Sequence, residues 1–293
     1  MALGVPLACY WRAIGVPLAA GAPQTWLRPC FFMGTFRPKC QHRPAMPIID
    51  SESRGGIHWL TLNRPRVKNA LSPELLESLI AHCAKLAADR SIKLVVLRGA
   101  EHAFSAGADL PAFMAALTGP DSRAAAELGL RACTSLLSLP QITVAAIEGS
   151  CVGGGLVLAA NCDLRFATRD AKFKIPELEL GIPLAWGALP RLIQLLGEGP
   201  ALSLTLTCRG FSAEEASRMG FVEFCDSPEA MLSQLESIAS RPQDALSVTK
   251  EQLSQLRSGS FDFGEEAERL LEALQDPETL AAAQRYLSRR GHA

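Results

Sequence analysis

Three glycines in a row, Gly153, Gly154 and Gly155, stand between two apolar runs at residues 142–147 and 156–160. A glycine triplet is poor helix interior, but it suits a helix start where the backbone must come close to another group. The first N–H groups of such a helix have no partner inside it and can donate to an oxygen carrying negative charge. A second loop of this kind, Ala103 to Asp109, follows the apolar run 94–97. Two strand-to-helix turns that each offer a free N–H can build an oxyanion hole. Taken alone, either loop reads equally as tight strand-to-helix packing. Downstream stand two carboxylates, Glu177 after Pro176 and Glu179 two residues on. By type alone each is an exposed charge; set beside an apolar pocket, its pKa would rise and suit proton transfer near neutral pH. Cys151 and Cys162 have no neighbouring His and read as small packing residues rather than nucleophiles. No metal-ligand spacing is present, and no metal is expected.

The elements that must carry these loops follow from periodicity. Residues 57–62 alternate and are rich in β formers, which predicts a strand. Asn63 to Asn69 breaks it with turn residues and three positive charges. Ser72 and Pro73 then start a helix whose apolar positions are Leu75, Leu76, Leu79, Ile80 and Leu86. A strand at 92–97, a helix at 122–137 and a strand at 142–147 continue the alternation, which calls for a parallel sheet with right-handed crossovers. Further strands are expected at 163–167, 172–175 and 221–224, with helices at 189–196 and, capped by Ser212, up to Met219. From Pro228 onward the chain reads helical, with breaks at Pro242, Gly259 and Pro277.

The 293 residues, 48% of them hydrophobic, can bury a large core. A formal net charge of −1 argues against a nucleic-acid partner, and no apolar run is long enough to span a membrane. The nine cysteines form no C-x-x-C pair, and their odd number and scatter argue against a disulfide framework. A reducing compartment is therefore expected. Residues 1–45 hold five basic residues and no acid. They are a leader of uncertain status: transit-like, or an over-extended start with Met46 as the true one. The expected location is cytoplasmic, or the mitochondrial matrix if the leader is a transit peptide.

The run Phe104-Ser-Ala-Gly-Ala-Asp-Leu110, the glycine triplet followed by Cys162-Asp163, and the Pro176-Glu177 step resemble the crotonase (enoyl-CoA hydratase/isomerase) superfamily. So do Leu62-Asn-Arg-Pro65 and Phe211-Ser-Ala-Glu-Glu-Ala216, and the resemblance runs in order over residues 50–290. It implies an α/β fold, a crotonase-like spiral of ββα units over 46–240, with a C-terminal helical trimerisation region at 241–293. It implies that the backbone N–H groups of Ala108 and Gly154 hold a thioester oxygen and that Glu177 is an acid/base. Arg66 and Lys68 would lie near the adenine and phosphates of CoA. Ala106, Gly107, Asp109, Gly153, Val157 and Trp186 complete the substrate-facing set, although Asp109 also has the chemistry of a helix cap.

Two positions depart from the family pattern. Val157 stands where two-carboxylate hydratases carry their other glutamate, and it can neither hold water nor move a proton. Trp186 lies in a loop unlike the hydratase run and either narrows the acyl pocket or merely packs. The function implied is an acyl-CoA-processing enzyme that stabilises a thioester enolate with a single glutamate, isomerising or hydrating an enoyl-CoA. A thioester hydrolase, a decarboxylase or a non-catalytic acyl-CoA binder are the alternatives. No cofactor is implied beyond the CoA of the substrate, and the expected assembly is a homotrimer or a hexamer. The apolar positions Leu270, Leu271, Leu274, Leu280 and Tyr286 of the C-terminal helices would supply a partner surface.

Overall fold

A computed structural model describes residues 47–290 of the chain; the leader reading for 1–45 lies outside them. The described residues open with a hairpin, β1 (Ile49–Arg54) and β2 (Ile57–Leu62). Then come α1 (Pro73–Leu86), β3 (Leu94–Gly99), α2 (Leu110–Leu117), α3 (Ser122–Leu137) and β4 (Ile142–Ile147). β5 (Ser150–Val152), α4 (Gly154–Ala160), β6 (Leu164–Thr168) and β7 (Lys172–Lys174) follow. Next are α5 (Ala188–Leu196), α6 (Glu198–Thr207), β8 (Phe211–Ser212), α7 (Ala213–Arg218) and β9 (Glu223–Cys225). The helices α8 (Pro228–Ala239), α9 (Gln243–Ser258), α10 (Glu266–Ala273) and α11 (Pro277–Arg290) complete the described residues.

The strands form a six-stranded sheet in the order β1-β2-β3-β4-β6-β9 and a small three-stranded sheet, β5-β7-β8. From β2 to β9 every pairing in the large sheet is parallel, as the alternation of strands and helices demands; only the β1–β2 hairpin is antiparallel. β3 is buried on both faces because each face is covered by helices. Its residues Val95 and Leu97 join Leu60, Leu62, Ala145 and Ile147 in a core with α1, α3 and α4. Leu94 and Val96 point the other way, into a second core with Met231, Leu235 and Ala239 of α8. Period-two side-chain alternation divides one strand between two cores.

Ser72 caps α1 by accepting the Leu75 N–H, and Ser212 caps α7 by accepting the Glu215 N–H. The predicted strand at 163–167 is displaced by one residue, because Asp163 itself faces inward to Thr143 and accepts both its N–H and its hydroxyl at 2.9 Å. Asp163 also binds Lys250 of α9 at 2.7 Å, which fastens the helical tail to the sheet. Lys93 meets Glu278 of α11 at 2.6 Å. Leu270, Leu271, Leu274 and Leu280 of the last two helices remain exposed. No helix among the described residues is long and apolar enough to cross a membrane.

Candidate active site

The two glycine-bearing loops leave the C-terminal ends of adjacent parallel strands, β3 and β4, so the sheet itself brings them together. Backbone bonds zip them. Phe104 N–H donates to Glu148 O (2.9 Å), Ser105 N–H to Ser150 O (2.8 Å), and Val152 N–H to Ser105 O (3.0 Å). On its other side the first loop pairs with Leu71, which donates to Gly107 O (2.8 Å) and accepts from Asp109 N–H (2.9 Å). In an extended segment successive N–H groups point to opposite sides, so the N–H of Ala108 is turned away from Leu71. The first bond of α4 runs from Val157 N–H to Gly153 O, which leaves the Gly154 N–H at the open end of the helix. Among the described residues neither N–H has a hydrogen-bond partner. Gly107 lies between them: a Cβ there would sit 2.9 Å from Val152 O and 3.6 Å from Gly154 N. The missing side chain lets the two donor loops touch.

Glu177 comes to this point from β7. Its Oε2 is buried with no hydrogen-bond partner, and burial pushes its carboxyl above the usual range. Gly153, held at φ +50°, makes room for it, since a Cβ at that position would meet Glu177 Oε1 at 2.9 Å. Glu179 pairs instead with Lys174 at 2.7 Å on the surface, which separates the two carboxylates that residue type alone left equal.

Ala108, Gly154, Val157, Glu177 and Trp186 line one cavity of about 280 Å³, whose other walls are mainly apolar: Leu110, Phe113, Met114, Leu117, Ile182 and Pro183. Val157 is 5% exposed and brings no second carboxylate. Trp186 packs against Phe113 with ring centroids 5.7 Å apart. Among the described residues, Glu177 is the single titratable side chain lining this cavity. Among the described residues no cluster of His, Cys, Asp and Glu could hold a metal ion.

The remaining candidates are placed differently. Asp109 does not line the cavity. Its Oδ1 accepts the Ala112 N–H and caps α2, while Oδ2 pairs with Arg64 at 2.9 Å, so its substrate-facing role gives way to the structural one. Ala106 and Gly107 shape the donor loop from behind, and Gly153 shapes the seat of Glu177. Arg66 and Lys68 are exposed on the turn after β2. That turn is joined to the donor loop by the bond from Ala106 N–H to Lys68 O (2.8 Å).

Sequence reading missed the residue that organises this junction. Asn69 is fully buried, sits at φ +55°, and donates to the carbonyls of Ala100 and Ala103 while its Oδ1 accepts the Arg64 N–H. Ser105 donates its hydroxyl to Asn69 O and accepts the Gly107 N–H. An asparagine within a polar turn gives no sign of being buried, so the only available signal was its tolerance of the left-handed region. The apolar lining from α2 was likewise unassigned.

The family model described as "Enoyl-CoA hydratase/isomerase" matches residues 52–279. A probable enoyl-CoA hydratase of Rhizobium meliloti is 37% identical over 204 residues, covering 68% of this chain and 78% of its own length. The crotonyl-CoA hydratase of Syntrophomonas wolfei is 34% identical, covering 66% and 74%. Among solved structures, the enoyl-CoA hydratase of Bacillus anthracis superposes with a TM-score of 0.74 at 30% identity, covering 83% of this chain and 97% of that one. With two N–H donor loops and a buried glutamate converging on one apolar cavity, and with these likenesses along most of its length, the chain belongs to the enoyl-CoA hydratase/isomerase family of the crotonase superfamily.

Proposed function

We propose that the protein isomerises the double bond of an enoyl-CoA, with Glu177 as its one acid/base. The observation that carries this reading is the buried carboxylate of Glu177, whose Oε2 has no hydrogen-bond partner, in a cavity where Val157 supplies only a hydrocarbon wall. The thioester oxygen accepts the N–H groups of Ala108 and Gly154, each such donor contributing about 3–4 kcal/mol of transition-state stabilisation. Glu177 takes a proton from C2 of a 3-enoyl-CoA. The C–H electron pair moves into the carbonyl, giving a dienolate whose charge rests on the held oxygen. The same carboxyl returns its proton to C4, and the double bond ends between C2 and C3. A pKa raised by burial suits a group that must both accept and release a proton. Arg66 and Lys68, on the turn tied to the donor loop, would meet the phosphates of CoA.

Hydration is the second reading, favoured by the names of the two bacterial relatives; it requires water to be activated without a second carboxylate. Mass-resolved turnover of a panel of 3-enoyl-, 2-enoyl- and malonyl-type CoA esters separates the reactions. Isomerisation leaves the mass unchanged while the double bond moves, hydration adds water, decarboxylation loses carbon dioxide, and hydrolysis releases CoA. Addition of water as the dominant reaction would overturn the isomerase reading. We also infer a homotrimer or a pair of trimers, supported by the exposed leucines of α10 and α11.

A further inference from the structure

Two local costs in the chain converge on one indole ring. Trp186 is held at φ +59°, a left-handed conformation that bulky residues rarely adopt. Gly129 stands in the middle of α3, where glycine is a weaker helix former than alanine. A Cβ on Gly129 would lie 1.9 Å from Trp186 Cε2, and a Cβ on Gly154 would lie 2.3 Å from Trp186 Cζ3. The indole therefore fills the slot between α3 and the start of α4, and both glycines are needed to admit it. Its ring edge touches the residue whose N–H faces the reacting carbonyl.

We propose that Trp186 is the specificity-determining wall of the acyl pocket and restricts the enzyme to short acyl chains. This rests on the acyl-CoA reading above. A thioester oxygen held at Gly154 places the first acyl carbons beside the indole, so extension toward α3 is blocked at once. On the α2 side the cavity is lined by Leu110 and Met114, which are 41% and 59% exposed. Methylenes leaving on that side stay partly in water and gain little, whereas each methylene enclosed in an apolar pocket improves selection by about tenfold or more.

The test uses the full chain, its Trp186→Ala and Trp186→Phe variants, and four-, eight- and twelve-carbon enoyl-CoA esters. Both kcat/KM and competitive binding are read, after thermal unfolding shows each variant to be folded. The wild type is expected to prefer the four-carbon ester. Trp186→Ala should raise the twelve-to-four-carbon ratio at least about tenfold, with Trp186→Phe between, which keeps the proposal testable if the alanine variant does not fold. Unchanged ratios in the folded variants, with the wild type binding the esters, overturn the wall and leave the acyl-CoA reading standing. No binding of any ester by the wild type overturns both.

Discussion

The Nζ of Lys250 lies 2.7 Å from Oδ2 of Asp163, with the two side chains only 2% and 3% exposed. Arg257 reaches the other carboxylate oxygen at 2.8 Å, whereas beyond Asp163 the Lys250 ammonium has, among the described residues, only the Leu137 carbonyl, at 3.2 Å. The pair joins the turn between α4 and β6 to α9.

Asp163→Asn should therefore destabilise more than Lys250→Met. The first leaves a buried ammonium without its counter-charge, a loss of about 3–5 kcal/mol; the second leaves Asp163 with Arg257 and Thr143. Burial raises the Asp163 carboxyl, but Lys250, Thr143 and Arg257 together hold it below its usual value. A depressed folded pKa gives stability that is present above the unfolded value of about 3.9 and is lost as pH falls through the folded one. Chemical denaturation against pH should show this loss below about pH 4 in the wild type, and Asp163→Asn should lack that part.

Glu177→Gln keeps size and polarity but removes the base, so turnover should fall by roughly 10²–10⁴ while CoA-ester binding hardly changes. The activity of the wild type should rise with pH through a midpoint above the ordinary glutamate value, because burial favours the neutral acid. For stability the sign is opposite to that of Asp163. A raised folded pKa helps the fold below the unfolded value of about 4.3 and is lost as pH rises through the folded value. Glu177→Gln should thus match the wild type in acid and exceed it at neutral pH. Wild-type turnover in this variant would remove Glu177 from the chemistry.

Val157→Glu places a second carboxylate in the cavity that Glu177 lines. Water addition to a 2-enoyl-CoA should increase, and double-bond isomerisation should stay equal or slow down. Stability should drop, since the new buried carboxylate must be solvated or share a proton with its neighbour. Unfolding curves and product masses check the two halves independently.

Leu270 and Leu271 on α10, Leu274 just after it and Leu280 on α11 are each at least 44% exposed, a face that closing against other copies would cover. Light scattering at micromolar concentration should return the mass of a trimer or a hexamer. A monomer mass would refute it.

Local chemistry was enough to locate the donor loops. Glycine triplets, caps such as Ser72 and Ser212, and period-two apolar runs act within a few residues and point to the parallel sheet and its two strand-to-helix turns, while the choice of Ala108 and Gly154 as donors rests on the family resemblance. β1 escaped because only Ile49 of its six residues is buried; an exposed edge strand carries no apolar alternation to read. α6 escaped because Leu202-Ser-Leu-Thr-Leu-Thr207 alternates with the period of a strand, yet the chain coils there and buries Leu204 while Leu206 stays 67% exposed. The site depended on facts of a longer range. Which of Glu177 and Glu179 is desolvated, whether Asn69 is inside, and what fills the space left by Gly129 and Gly154 are settled by packing between segments far apart in the chain. Residue type fixes what a group can donate, accept or fill, but its distance from water and from its neighbours exists only once the helices have closed around it.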